Sequence, residues 1–433
     1  MQLFIKVVIL FLIIFNFRIP VIYNSSVLSV ILSASYYIFI RRSIPFTFFY
    51  RTYNVTILIG LLVLCFITLS FTMLHGQYEF TLLKVQVLQF FMLFALIFAL
   101  PILIDEENNA FEQAAYIICG AFSLQGFIQL MAYLIPSFGD FMIAMKPPEF
   151  QQFFILNPEL RFRGFALTGS PFFELPCGFG VAFILFFRSL YIDGQKFITG
   201  NKKYVMFLFF FVGSMFSGRT AFVGLGMAVG LVFFMAKDPI NSIFRTVRII
   251  IALSFALVIV YSLLLPSNLR DNISNTVFPY AFEFFYSFEE TGKISTVSSD
   301  ALDGHYYSLP IETILHGDGK YLDPESRGYY GGTDAGYMRM LLYGGVPFFI
   351  CLLIYQYLYF SKPLYYSRRG ITEEDRKDYW CLLFLFIHLF ILEYKSDTIA
   401  NQNIMQVLLL FLGSAYMIRY YYREQETVES VEN

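Results

Sequence analysis

Residues 331–349 read GGTDAGYMRMLLYGGVPFF, and the fold class turns on this passage. Before it lies a polar island, residues 266–333, 68 residues long and holding turn formers such as His316-Gly317-Asp318-Gly319. After it the chain is apolar, as it is almost everywhere else: 57% of the 433 residues are hydrophobic, 14% are charged and mean hydropathy is +0.62. Runs close to the roughly 20 residues needed to cross about 30 Å of hydrocarbon recur along the chain. Helices of a soluble chain would carry polar faces, and these are mostly missing. The expected class is therefore an all-α polytopic integral membrane protein. Polar loops between spans are usually short, so an island this long reads as a working part.

Twelve transmembrane spans are expected, at 3–17, 21–40, 54–74, 81–104, 112–135, 165–187, 204–217, 219–236, 248–265, 335–360, 379–394 and 401–418. Placing both termini in the cytoplasm puts most Lys and Arg, from Arg41 to Arg423, in cytoplasmic segments. It leaves six in the short outer segments: Arg18, Lys146, Arg161, Arg163, Arg219 and Lys395. The reading is one membrane domain, 1–433, with outer loops at 136–163 and 266–333. Lys6 and the apolar run after it look like a signal peptide, but Phe17-Arg18-Ile19-Pro20 offers no small-residue cleavage site, so the segment is read as a span. A net charge of −2 points to no nucleic-acid partner. All five cysteines fall in apolar spans and imply no disulfide framework.

Charged residues at membrane depth narrow the chemistry. Lys203 and Arg219 bracket the seventh span only 16 positions apart, about 24 Å of helix at roughly 1.5 Å per residue. That is less than the hydrocarbon thickness, so the Ser217-Gly218-Arg219 turn is expected below the outer surface. An arginine there faces a cavity or a partner, or else snorkels to lipid phosphates. Arg161 and Arg163 break the charge bias beside the sixth span; guanidinium suits bidentate phosphate binding, or anchoring to lipid headgroups. Within that span Pro171 and Pro176 flank Glu174, either a general base or the structural partner of a buried arginine.

Asp334 opens the tenth span, as a base or as a helix cap. Tyr337 shares its face, whereas Arg339 points about 140° away and reads as cavity-facing rather than paired with Asp334. Gly331-Gly332 suits a close approach to a ligand, or a turn. In the island, His305, His316, Asp318 and Arg327 are candidates, and Glu393-Tyr394-Lys395-Ser396-Asp397 forms an outward turn able to line an acceptor site. Asp105-Glu106-Glu107 and Glu373-Glu374-Asp375 look like solvated cytoplasmic helix ends. No Walker motif, zinc-spaced cluster, Gly-x-Ser-x-Gly or outer Asp-x-Asp occurs, so no metal or cofactor is expected.

Taken together these features resemble the bacterial O-antigen polymerase (Wzy-type) family. The resemblance rests on the late outer loop, on Arg163-Gly164-Phe165 before a broken span, and on Ser217-Gly218-Arg219-Thr220. Gly317-x-Gly319, followed by Thr333-Asp334-x-Gly336-Tyr337 and Gly344-Gly345, completes it. O-antigen ligases share the layout but usually show a histidine where Asp334 stands, which favours a polymerase. The Arg-x10-Gly pattern of some members is missing from both outer loops.

The resemblance implies a GT-C-like, metal-independent glycosyltransferase of the bacterial inner membrane. Its reaction would move glycan from one undecaprenyl-diphosphate-linked oligosaccharide to another at the periplasmic face. Arg163, Arg219 and Arg339 would clamp diphosphate or substrate; Arg161, Arg327, Tyr337 and His316 would be further substrate contacts. Asp334 or Glu174 would be the base, the long loop a lid, and a polysaccharide chain-length regulator (co-polymerase) a partner alongside the membrane lipids. A lipid-linked-oligosaccharide flippase is the reading from a different class; the lack of a repeat between halves and the long loop count against it.

Overall fold

The structure, a computed structural model, describes the chain except residues 1, 20–21, 43–51, 171, 192–197, 199, 245–246, 249–250, 252–266, 293–295, 324–327, 371 and 433. The described residues are almost wholly helical, apart from a short antiparallel ribbon pairing Arg18–Ile19 with Tyr23–Asn24. The long helices are α1 (Gln2–Phe15), α2 (Ser25–Tyr36), α3 (Thr52–Leu74), α4 (Thr81–Leu103), α5 (Ala110–Leu134) and α6 (Glu174–Leu190). They continue with α7 (Lys202–Ser217), α8 (Thr220–Met235), α9 (Gly336–Arg369), α10 (Glu373–Lys395) and α11 (Asn403–Glu432). Five helices are long and apolar enough to cross a membrane: Thr52–Leu74, Thr81–Leu103, Glu107–Leu134, Gly336–Arg369 and Asn403–Glu426. Leu3–Phe15, Ser25–Arg41 and Thr220–Met235 are shorter apolar helices. This is an all-α membrane protein, and the expected span at 248–265 lies almost entirely outside the described residues.

α11 forms the axis of the bundle. Of its most apolar stretch 89% is buried, against 28% for α3, which is peripheral. α6 is buried from Leu175 to Ser189 and packs on α8 where Gly180 meets Gly224; a Cβ at Gly224 would overlap the Gly180 backbone. Without a hydrophobic gradient between helix and lipid, close backbone approach of this kind is what brings membrane helices together.

Several expected boundaries move for identifiable reasons. The sixth span starts at Glu174 rather than 165, because Pro158–Phe165 is a 3-10 turn and Pro176 fits the first turn of α6. α9 runs on to Arg369 but is broken at Gly344 and Gly345, whose φ values are −141° and 63°. In an unbroken helix the Tyr343 carbonyl would face Pro347, which has no N–H to give. At the break the amides of Asp318 and Gly319 donate instead to the carbonyls of Leu342 and Tyr343, at 2.7 and 2.9 Å. The Gly317-x-Gly319 and Gly344-Gly345 motifs are thus two halves of one joint, closed by backbone accounting.

Residues 266–333 are not an open loop. Their described part is a string of short helices, Ser267–Asn272, Phe278–Ala281, Glu283–Thr291, Val297–His305 and Ile311–His316, followed by a turn at Tyr330–Gly332. The last of those helices sits on the α9 break, with His75 Nε2 3.1 Å from the Gly317 carbonyl.

The Glu373-Glu374-Asp375 run is also corrected. It is the first turn of α10, capped through Thr372 and Asp375, and Glu374 and Asp375 pair with Arg419 and Arg423 of α11. Asp105 is likewise paired, with Lys6 at 2.6 Å.

Candidate functional site

The loop-bearing end of the bundle gathers cations from three separate parts of the chain. Gly218 takes a φ of 152°, and this turns the chain sharply between α7 and α8. The turn is anchored from below: Ser217 is buried, and its hydroxyl accepts from Gln129 Nε2 at 3.1 Å. The Ser217 carbonyl accepts from Arg163 Nε at 3.3 Å, bringing the 136–163 loop onto the turn. Thr220 Oγ1 accepts from Lys395 Nζ at 3.3 Å, which brings in the end of α10. Lys395 is within electrostatic reach of Arg163, Arg219 and Asp334.

Aromatic rings, more than carboxylates, separate these charges. The Arg163 guanidinium lies 5.0 Å from the Phe172 ring centroid and 5.2 Å from that of Tyr280. Arg219 lies 5.1 Å from Tyr280, so two guanidinium groups share one ring. Cation–π contacts offset part of the cost of burying them without neutralising either. Tyr280 belongs to the 266–333 segment, as does Glu283, whose carboxylate pairs with Arg219. Val277 from the same segment packs with Phe162, Val212 and Phe216. The long loop is therefore fastened directly over the cations.

Asp334 lies at the edge of this cluster. The N-cap of α9 is Ala335, with no side-chain cap, so Asp334 is not the cap; Thr333 Oγ1 accepts the Ala335 amide at 3.2 Å instead. Asp334 Oδ1 sits 3.4 Å from His305 Nε2, and the His305 carbonyl accepts from Thr333 Oγ1 at 3.0 Å. A half-exposed carboxylate beside an imidazole is a couple able to take a proton from a hydroxyl group.

The other expected site residues fall elsewhere. Arg339 is 3% exposed and stacks between the rings of Tyr321 and Tyr329, at 4.0 and 3.7 Å. It lies 3.9 Å from Asp397 Oδ2, which accepts from the Tyr321 hydroxyl at 2.7 Å. Burial raises the pKa of Asp397, and Arg339 opposes the rise. This box ties the second half of the long loop to the bundle, and Asp397, from the 393–397 turn, is its acceptor. Two of its donors, Arg339 Nε and Nη2, have no hydrogen-bond partner among the described residues.

Among the described residues, Glu174 forms no ion pair with an arginine. Its carboxyl is held by the amides of Asn403 and Ile404 and by Ser170, so it sits on the N-terminus of α11. A carboxylate there satisfies orphan amides and opposes the positive end of the helix dipole.

Tyr337 is half-buried and donates to the Phe390 carbonyl at 2.9 Å, bracing α9 against α10. Arg161 is exposed and pairs with Asp140. His316 is exposed at the end of its short helix, and Arg327 lies outside the described residues. Among the described residues no group of three or more His, Cys, Asp or Glu side chains is placed to hold a metal ion.

Two features were not singled out from the sequence. Lys146 is buried and donates to the carbonyls of Ala166 and of Thr168, the latter at 2.7 Å. Its charge suggested an outer-loop cation, and nothing in its neighbours in sequence marks it as a strut. At the opposite end, Arg188 is fully buried between Asp378 (Nε–Oδ1 2.8 Å) and Glu112 (2.8 Å). Arg419 joins the same carboxylates, so that α5, α6, α10 and α11 meet in one ionic knot. These residues lie at the ends of expected spans, and Arg419 and Glu112 are 307 positions apart, so no local pattern joins them. Comparison with protein-family models, with curated proteins and with solved structures gives no match.

Proposed function

We propose that the protein is a metal-independent glycosyltransferase of GT-C-like architecture with twelve spans. It would join one undecaprenyl-diphosphate-linked oligosaccharide to another at the periplasmic face of the inner membrane, with both termini cytoplasmic. The observation that carries this reading is the meeting of Arg163, Arg219 and Lys395 under the 266–333 segment, beside the Asp334–His305 couple.

In this reaction an acceptor hydroxyl loses its proton to the couple as its oxygen bonds to the anomeric carbon of the donor glycan. The anomeric C–O bond breaks and its electrons leave with the lipid diphosphate. Charge thus accumulates on the diphosphate, where fixed cations in a partly dehydrated site stabilise it. Guanidinium keeps its charge on burial and offers paired donors to phosphate oxygens. A polysaccharide chain-length regulator is the protein partner in this scheme.

The test uses purified full-length protein and lipid-linked repeat units alone. A ladder of polymer is expected, and its absence under conditions where the protein binds the substrate would sink the proposal. One observation favours a second reading. His305 beside Asp334 supplies a histidine close to where ligases usually carry one, so a ligase is the alternative. A ligase would give no ladder from repeats alone but would transfer glycan once its own acceptor is supplied.

A further inference from the structure

Three cations at the end opposite the loop stand apart from the ionic knot there. Arg188, Lys377, Arg419 and Arg423 each lie within ion-pair distance of a carboxylate. Arg368, Arg369 and Arg376, on the adjoining ends of α9 and α10, are exposed and have no such carboxylate among the described residues. Arg369 instead stacks over the Tyr365 ring at 4.3 Å. Glu373, the carboxylate nearby, is 3.1 Å from Lys377 and 3.9 Å from Lys237, and it is within electrostatic reach of Arg376 beyond ion-pair distance.

Two cavities open among these arginines. One, of about 450 Å³, is walled by Arg368, Thr372, Glu373, Arg376 and Tyr379. The other, of about 570 Å³, is walled by Tyr357, Leu364, Tyr365, Arg368, Arg369 and Tyr379. Arg368 and Tyr379 belong to both, so the cavities adjoin. Tyr357, Ser361, Leu364, Tyr365 and Arg368 follow one another at spacings of one to four residues along one side of α9. From Tyr357 to Arg368 that side is about 16 Å long, at roughly 1.5 Å per residue. Tyr357 and Tyr365 are 56% and 49% exposed, so the wall is open along its length.

The groove therefore has an aromatic and aliphatic track that ends in three guanidinium groups, none within ion-pair distance of a carboxylate among the described residues. We propose that it binds an anionic membrane phospholipid of the leaflet at this end, its phosphodiester among Arg368, Arg369 and Arg376 and an acyl chain along Tyr357–Tyr365. Charge complementarity selects the headgroup, since guanidinium pairs with phosphate oxygens in a fixed fork. Basic pockets between helices at a membrane surface are the usual receptors of anionic headgroups. The site is independent of the glycosyl-transfer reading, being at the far end of α10 from Lys395.

Native mass spectrometry of the detergent-solubilised full-length protein, titrated with dioleoyl phosphatidylglycerol or dioleoyl phosphatidylcholine, tests it. Wild-type protein is expected to retain phosphatidylglycerol at least about tenfold better than phosphatidylcholine. The double variant Arg368→Ala with Arg376→Ala is expected to lose that preference, while Arg18→Ala, at an exposed cation distant in sequence, keeps it. Should the double variant fold poorly by thermal melting, the single Arg369→Gln, at an exposed side chain, is read for the same loss. Equal retention of the two lipids, or an undiminished preference in the variants, overturns the proposal. Displacement of phosphatidylglycerol by millimolar inorganic phosphate, with no effect of Tyr365→Ala, would mark an anion site without a lipid track and overturn it as well.

Discussion

The two ends of this bundle bury arginine in opposite ways. Where Arg188 and Arg419 lie, each guanidinium meets carboxylates: Asp378 and Glu112 for the first, and those two with Glu374 and Asp375 for the second. At the loop end Arg163 and Arg219 face the rings of Phe172 and Tyr280, Lys395 leans on a hydroxyl, and Glu283 arrives on a separate segment. A guanidinium already matched by buried carboxylates has little charge left to offer a ligand, and the pair holds helices in register. A cation cushioned by rings keeps its charge available. In the function proposed, the first arrangement is a lock and the second a receptor for an anion.

The sharpest way to break that comparison is to remove one partner at each end. Asp378→Ala strips Arg188 and Arg419 of a shared carboxylate and leaves charge buried without compensation. A loss of about 3–5 kcal/mol is expected for such a site. It should appear as a large fall in melting temperature and poor yield, whatever the substrate. A variant that melts like wild type would deny the knot its role as a lock.

Arg219→Lys probes the other end. The ammonium keeps one positive charge but cannot make the paired contact, so polymer formation should drop about 100-fold with the melting temperature little changed. Near-normal polymer from a well-folded variant would remove Arg219 from the receptor.

The joint between Gly317-x-Gly319 and Gly344-Gly345 lies between these extremes. Gly345 has a φ of 63°, and a Cβ there would press on the Ile314 carbonyl. Gly345→Ala should therefore cost about 1–3 kcal/mol of local stability. The expected signature is faster proteolysis within the 311–333 part of the loop, with the ionic knot at the other end unaffected. Equal protection of loop and bundle would mean that the two halves are not hinged there.

How much of this was legible in the chain follows from the range of each interaction. Apolar runs, the long polar island and the Ser217-Gly218-Arg219-Thr220 turn are local, and α3, α4 and α5 begin and end within a few residues of expectation. The joint was half legible: the glycines stood out, and Pro347 beyond them removes the amide that Tyr343 would need. Pairings across the chain were not. Arg188 meets Asp378 from 190 residues away and Thr220 meets Lys395 from 175, and no local pattern encodes either. Glu174 looked like a candidate base because it lies between prolines, yet its partners are amides of α11. Asp334 and His305 were separate candidates until the fold of the loop put them side by side.

The smallest expected effect separates lock from receptor most finely. Glu283 pairs with Arg219 much as a knot carboxylate pairs with Arg188, but the two side chains are 24% and 17% exposed and Glu283 rides on the long loop. If it belongs to a lock, Glu283→Gln should weaken the fold and leave substrate binding alone. If Arg219 is a receptor, the carboxylate competes with the incoming diphosphate, and removing it helps binding. A partly exposed pair contributes on the order of 1 kcal/mol, so a fall in KM for the lipid-linked substrate of about two- to fivefold is expected. The melting temperature should hold within about a degree or two. A raised KM with a lower melting temperature would move Glu283, and with it Arg219, to the side of the lock.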